Sequence, residues 1–548
     1  MSLDHLNQPV QPENNDSERY SAFEEVNTPA SDDTPRQVSS LTFSLIIATI
    51  VAVVLACVVL GFVLLSGEED PANTDTDQNS ETEVTDPVED NSLVLLDKTD
   101  KGKVVLRRID CTNKEGSYTV YYNDKDGKFL LKGYEDIDLS EDLVTVMKGY
   151  TATIVATEQV KNPGKLKDYG LDKPESTARI TYADGTTVTL KLGKELPSGD
   201  GYYGTLDAKE GVFMFDADSV SMYRFRAAAF ADTVLVSTPT VKKDDTYGSA
   251  VLKEIQYTGK NYAQPFTMRR SYHTDGEELQ LFSYIISAPY LRGTTDATAG
   301  YLSSMKSLNA SHALYLHPTE DQKAKLGFND PLAKIRLTMA VETSKSEDEN
   351  APNIYYNESS AVLTIGSTDS DGNYRAMLNG IDAIFLLEKE AFSSIADRTY
   401  ENSVNELLFL KNIDQLGRIT IEIDGKTTDF QLKHYPNEEK LDDQMTVTAE
   451  NKTLSTTDFR ELYQLLMGLA RMETLDKIPE GKPVMTVKMY TTEGKFYMGA
   501  TYHSISGTLC AVETTEGEVF ATRWRNVTYF MEQVENLLNG DKVLIMTY

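Results

Sequence analysis

The side chains able to do acid–base or metal chemistry are few and scattered. Six histidines stand at His5, His273, His312, His317, His434 and His503. His312 and His317 are five residues apart in the strand-like stretch Ala310 to Pro318, an odd spacing that sends them to opposite faces of a strand and argues against a shared metal. The chain has no His-Glu-x-x-His, no Walker phosphate loop and no Gly-x-Ser-x-Gly elbow, so the commonest zinc-protease, nucleotide and hydrolase signatures are absent. Three cysteines, one of them inside an apolar run, cannot build a disulfide framework or a Cys-type zinc site.

One set of short motifs imitates a serine enzyme. Ser303-Ser304-Met305-Lys306 satisfies Ser-x-x-Lys, Ser403-Val404-Asn405 satisfies Ser-x-Asn, and Lys426-Thr427-Thr428 approaches Lys-Thr-Gly, together an echo of penicillin-binding enzymes. A serine one helical turn before a lysine base could lose its hydroxyl proton to that lysine. The final glycine is missing, however, and Lys426 merely follows a hairpin glycine, so chance matching is the better account. Asp369-Ser370-Asp371-Gly372-Asn373 opens like a calcium loop. Its glycine comes too early for an EF-hand and no glutamate closes the loop, so it reads as a polar turn. Trp524 with Tyr529 and Phe530, or Tyr202 with Tyr203, could form a glycan platform but are explained by half-buried packing. No catalytic, cofactor-binding or metal-binding residue is expected, and no cofactor.

The elements that must carry these residues begin with a membrane segment. Leu41 to Leu65 is uncharged and, as a helix, would reach roughly 37 Å, enough for a bilayer core. Residues 41–66 are therefore expected to be a single transmembrane helix in contact with the lipid bilayer. Arg36 lies just before it, whereas Glu68, Glu69 and Asp70 follow and the first base is Lys98, which places the amino terminus in the cytoplasm and the carboxy-terminal part outside. Val54-Leu55-Ala56-Cys57 resembles a lipoprotein cleavage box. Apolar residues continue to Leu65 beyond Cys57, so that cysteine reads as a small hydrophobe within the span.

Charge and composition divide the remainder. Residues 1–40 are polar and acidic, as expected of a disordered cytoplasmic tail. Residues 67–92 carry ten carboxylates and no base, and self-repulsion should hold them extended as an acidic linker. With 548 residues there is chain for several cores, and a formal net charge of -32 argues against nucleic acid as a partner.

Beyond the linker the sequence repeats. GVFMFDADSVSMY around Phe213, AIFLLEKEAFSSI around Phe385 and EVFATRWRNVTYF around Phe520 align without gaps. Val212, Ile384 and Val519 correspond, as do Val220, Phe392 and Val527, and Tyr223, Ile395 and Phe530. Earlier in each copy, Tyr169-Gly170-Leu171-Asp172-Lys173-Pro174 matches Leu326-Gly327-Phe328-Asn329-Asp330-Pro331, and Pro483 holds the third position without the glycine. Hairpins follow each proline. Asp126-Gly127, Asp184-Gly185, Asp275-Gly276, Asp371-Gly372 and Asp424-Gly425 predict type I′ turns. Each copy also holds a helix: Ser140 before Leu143, Val144, Met147 and Tyr150; Tyr301, Leu302, Met305 and Leu308; and Ser455 before Phe459, Leu462, Tyr463, Leu466 and Leu469, where Asp458 completes a capping-box pattern. The expected fold class is α+β: a single transmembrane helix followed by three tandem antiparallel-sheet-plus-helix modules, at 93–236, 237–402 and a divergent 403–548.

The Tyr-Gly-Leu-x-x-Pro loop at Tyr169 to Pro174, the strand with Asp184-Gly185, the Leu-x-Leu-Gly end at Leu190 to Gly193 and the Gly-Tyr-Tyr strand at Gly201 to Tyr203 together resemble the prokaryotic family catalogued as domain of unknown function 4340. The resemblance covers residues 95–400, and the last copy only by pattern. It implies membrane-anchored envelope proteins, some resembling components encoded beside ABC-type transport systems, and it carries over no catalytic residues. The expected function is a non-catalytic, single-pass envelope protein that offers surface to envelope proteins or cell-wall polymer. An accessory subunit of an ABC-type transport system is the alternative, and an extracytoplasmic serine acyl-transfer enzyme acting through Ser303 and Lys306 the third reading.

Overall fold

The computed structural model describes residues 92–545 apart from 101–102, 104, 273–274 and 344–353. The expected tail 1–40, the span 41–66 with Cys57, and the linker 67–92 up to its last residue lie outside the described residues, as do His5 and His273. Among the described residues no helix is long and apolar enough to cross a membrane.

Alternation of apolar and polar residues builds three large antiparallel sheets, of eight, nine and eight strands. In the first, strands Leu106–Asn113, Gly116–Asn123 and Lys128–Leu131 step from the centre to one edge. Helix Glu141–Ala152 then crosses over, and the short strand Glu158–Gln159 takes the opposite edge. Strand Ser176–Tyr182 returns to pair with Leu106–Asn113 at the centre, and Thr187–Glu195, Gly201–Leu206 and Lys209–Asp216 step outward to meet Glu158–Gln159.

The second sheet repeats this path. Ser249–Thr258, Phe266–Arg270, Tyr284–Ala288 and Arg292–Gly293 step to one edge, and helix Asp296–Ser304 crosses. His312–Leu316 takes the other edge, and Ala333–Thr343, Ile354–Thr368, Tyr374–Leu378 and Ala383–Leu387 fill the gap. The third sheet has Leu416–Ile423, Lys426–His434, Met445–Ala449 and Lys452–Leu454 before helix Thr456–Met467. Met485–Thr491, Phe496–Ser504, Leu509–Thr514 and Val519–Arg523 follow it, then helix Trp524–Asn539. One face of each sheet is apolar and buried. Phe213, Phe385 and Phe520 are all at most 1% exposed, as are Tyr223, Ile395 and Phe530.

The α+β class expected from sequence is corrected by this architecture, which is mainly β. The crossing helices have only 12, 9 and 12 residues. After Asp216 the first sheet is followed by only a four-residue helix and short 3-10 turns. Edge strands such as Glu158–Gln159 and Arg292–Gly293 are too short for alternation to register, so sequence reading under-counts strand. The second helix is also displaced from Tyr301 to Leu308. Thr295 caps it by accepting from Thr298 N, the helix stops at Ser304, and Leu308 lies in a strand. At Asp458 the capping box is half made: Ser455 Oγ accepts from Asp458 N, but the Asp458 carboxylate accepts from Val543 N at 3.1 Å. Only Asp424-Gly425 has both φ angles positive, as a type I′ turn requires, whereas at Gly127, Gly185 and Gly372 the preceding aspartate does not.

Successive sheets are joined by one backbone device used twice. At the first joint Ser140 N donates to Phe230 O at 3.0 Å and Asp232 N to Asp138 O at 2.8 Å. At the second, Thr295 N donates to Ser403 O at 3.0 Å and Asn405 N to Gly293 O at 2.8 Å. In both, the connector pairs with the segment leading into the crossing helix before it enters the next sheet.

Candidate functional site

The loop singled out by sequence is a packing device. Leu166–Tyr169 forms a 3-10 turn ended by Gly170 at φ 71. Gly170 sits against Gly193 on the strand Thr187–Glu195, where an added β-carbon would stand 2.1 Å from the Tyr169 carbonyl oxygen. The second sheet builds the same contact, with Gly327 at φ 84 and a β-carbon on Gly366 only 2.3 Å from Leu326 O. Both strand glycines follow the residue that pairs with the second position after the proline, Leu192 with Ser176 and Ile365 with Ala333. In the third sheet that pair is Tyr502 with Met485, so the glycine's place falls to His503. Pro479 stands where Gly170 and Gly327 stand, the loop's own Gly481 meets nothing within 4 Å, and both His503 ring nitrogens are buried without a hydrogen-bond partner.

The most strongly built polar cluster lies at the second joint. Arg292, 4% exposed, sends Nε to Glu518 Oε2 and Nη1 to Glu516 Oε2, both at 2.8 Å. Glu518, 1% exposed, also accepts from the Tyr400 hydroxyl at 2.6 Å and from Arg471 Nε at 3.3 Å. Arg471 completes a two-bond fork on Glu401 at 2.9 and 2.7 Å. Burial alone would pull the Arg292 guanidinium down, but Glu518 and Glu516 hold it above its ordinary value. Burial would likewise raise the Glu401 carboxyl, yet hydrogen bonds from Arg471 and Thr474 keep it below the usual range. The Tyr400 hydroxyl is pushed up, first by burial and then by Glu518. The Arg292 and Glu401 shifts favour their charged forms and the Tyr400 shift its hydroxyl, which with the buried fork geometry suits orientation of two sheets rather than proton transfer.

Residues 131–277 match the family model described as Domain of unknown function (DUF4340). The DUF4340 match starts in the edge strand Lys128–Leu131, takes in the Gly170–Gly193 contact and ends beyond Phe266–Arg270 in the second sheet. It straddles the first joint and is narrower than the 95–400 expected from sequence. No curated protein matches the chain.

The remaining sequence candidates are occupied by structure. Ser303 is in the last turn of its helix, and the Lys306 ammonium lies past the helix end, donating to the Ala250 carbonyl at 2.7 Å. Ser403 is buried at the second joint, while Lys426 is on the third sheet and pairs with Glu450 at 3.0 Å. The three motif pieces therefore sit on different elements. His312 is in the edge strand, its imidazole pushed down to about 4, first by burial and then by Arg226. His317 lies past that strand's end, with Nε2 at 2.9 and 3.0 Å from the Asp136 carboxylate. His434 Nε2 is 2.7 Å from Leu416 O. Among the described residues no group of three His, Cys, Asp or Glu side chains could hold a metal ion. Asp369 accepts from Asp371 N and Asn373 N, both at 2.9 Å, so its loop is closed on itself as a turn. Phe530 is core, and Tyr202 lies under the Arg224 guanidinium at 3.9 Å.

The cluster at Arg292, Tyr400, Glu401, Arg471 and Glu518 was not found from sequence. Arg292 and Glu518 are separated by 226 positions, so no local spacing announces them.

Proposed function

We propose that this chain is a non-catalytic interaction protein of the cell envelope, held at the membrane, whose sheets offer surface outside the cytoplasm. The observation that carries the reading is where the repeated residues are spent. Phe213, Phe385 and Phe520 fill cores, and Gly170 with Gly193 and Gly327 with Gly366 close loops onto strands. Repetition preserves a framework here, and a framework used three times multiplies surface, whereas a reaction centre is commonly supplied by one copy.

A photo-reactive amino acid at exposed positions on the sheets, such as Arg336 or Lys488, should capture a specific envelope protein or wall polymer in living cells. Capture of nothing at any position would overturn the reading. A reporter active only outside the cytoplasm, fused after Tyr548, should be active. Silence there with activity of a cytoplasmic reporter would reverse the placement.

A further inference from the structure

The buried face of each sheet is accounted for by its core, and the opposite face is solvated. At its centre the three sheets share a feature. Five positions after Pro174, Pro331 and Pro483 stand Arg179, Arg336 and Lys488, all exposed, on the central strands Ser176–Tyr182, Ala333–Thr343 and Met485–Thr491. Their register is the same. Arg179 lies between Asp110 and Thr189, Arg336 between Gln256 and Val362, and Lys488 between Thr420 and Gly499.

Most neighbouring anions are already matched. Asp110 takes a two-bond fork from Arg108 at 2.7 and 2.6 Å, Asp429 pairs with Arg418 at 2.8 Å, and Glu254 accepts from Gln256 at 2.7 Å. Among the described residues Arg179, Arg336 and Lys488 enter no ion pair. Hydroxyls flank them: Thr177, Thr181, Thr187 and Thr189 on the first sheet, and Thr338 bonded to Ser360 at 2.9 Å on the second. Lys191 and Lys334 add further exposed cations. In a chain with 85 acidic against 53 basic residues, three cations outside any ion pair at one equivalent position are a concentration of the minority charge, although Arg179 also acts at longer range on Asp110.

We propose that the solvated sheet faces dock an anionic polymer of the envelope, with Arg179, Arg336 and Lys488 as the central contacts. This rests on the interaction-protein reading and names the class of its partner. Charge complementarity selects the occupant: guanidinium and ammonium groups take phosphate, sulfate or carboxylate, and threonine hydroxyls donate to the same oxygens. A single exposed cation binds weakly, but sites strung along one chain gain by acting on one polymer.

The test uses the purified full-length chain and fluorescently labelled long-chain inorganic polyphosphate, with neutral dextran as the control. Polyphosphate should bind and dextran should not, and raising salt from about 50 to 200 mM should weaken binding by about tenfold or more. The triple variant R179Q/R336Q/K488Q should lose about tenfold or more in affinity with its thermal unfolding unchanged, since all three side chains are exposed. The charge-keeping variant R179K/R336K/K488R should retain binding. Failure of polyphosphate to bind, or equal binding by the glutamine variant, would overturn the proposal, as would tighter binding of a DNA duplex. If polyphosphate fails while cross-linking in cells still captures a protein, the docking proposal falls and the interaction reading stands.

Discussion

Arg292 and Glu518, 226 positions apart, form an ion pair at 2.8 Å that is buried on both sides, 4% and 1% exposed, across the joint between the second and third sheets. Two guanidiniums, Arg292 and Arg471, share the Glu518 carboxylate. Removing that carboxylate leaves both cations buried with less compensation, so Glu518→Ala should destabilise the joint by about 3–5 kcal/mol. The double variant Arg292→Met with Glu518→Leu should recover much of the loss, because an apolar pair pays no desolvation of charge. Urea unfolding followed by fluorescence of the single tryptophan, Trp524, which packs on the third core, reads this directly. A double variant as unstable as the single one would show that the pair stabilises beyond its packing.

The glycine contacts give a second expectation. Gly193→Ala and Gly366→Ala place a β-carbon 2.1 and 2.3 Å from a carbonyl oxygen, and both contacts are backbone, which cannot swing aside. Each should cost about 2–3 kcal/mol in an unfolding experiment. Gly149, inside the helix Glu141–Ala152 with nothing within 4 Å of an added β-carbon, is the control. Gly149→Ala should stabilise by about 0.5–1 kcal/mol, by removing conformational freedom from the unfolded chain.

What could be read from sequence follows from how local each determinant is. The buried positions Phe213, Phe385 and Phe520 and the proline loops announce themselves by spacing alone, since a strand and its following turn are written in consecutive residues. The pairing of His312–Leu316 with Ala383–Leu387 is not written locally, and neither is the use of Glu158–Gln159 as an edge. The fold class was misread for that reason: short strands that complete a sheet through distant partners carry no alternation of their own. The second helix was displaced because Leu308 falls on the helical period by accident, while the cap that starts the helix, Thr295, precedes residues with little apolar pattern. The charge cluster at the second joint needed three-dimensional placement to be seen at all.

His503 marks where the third sheet departs from the other two. Its ring nitrogens are buried and unpaired, a cost of desolvation with no bond in return. Replacing it with an apolar side chain of similar bulk removes that cost, so His503→Leu should stabilise the third sheet by about 1 kcal/mol. His503→Gly should destabilise, because the third loop has no glycine docked against the vacated space. Trp524 fluorescence during urea unfolding distinguishes the two. Stabilisation by the glycine variant would mean that the loop can close onto the strand as it does at Gly193.

The edge strand of the second sheet should respond to acid through His312. The imidazole is pushed down to about 4, first by burial and then by Arg226, against an unfolded value of about 6.5. Above pH 6.5 neither state is protonated, and stability is fully present. As pH falls from 6.5 towards 4 the unfolded chain takes up a proton that the folded chain refuses, so stability drops across that window and levels off below it. The full drop is about 3 kcal/mol at most, an upper bound because the ring is not fully enclosed. Hydrogen exchange of the strand amides His312–Leu316 across pH 4–7, corrected for intrinsic rates, should show this loss in the native protein. In His312→Gln the pH-dependent part should vanish. Asp136, which faces His317 beyond the strand end, is held below the usual carboxylate range chiefly by that contact. Persistence of the slope in the glutamine variant would assign it to another group at the first joint.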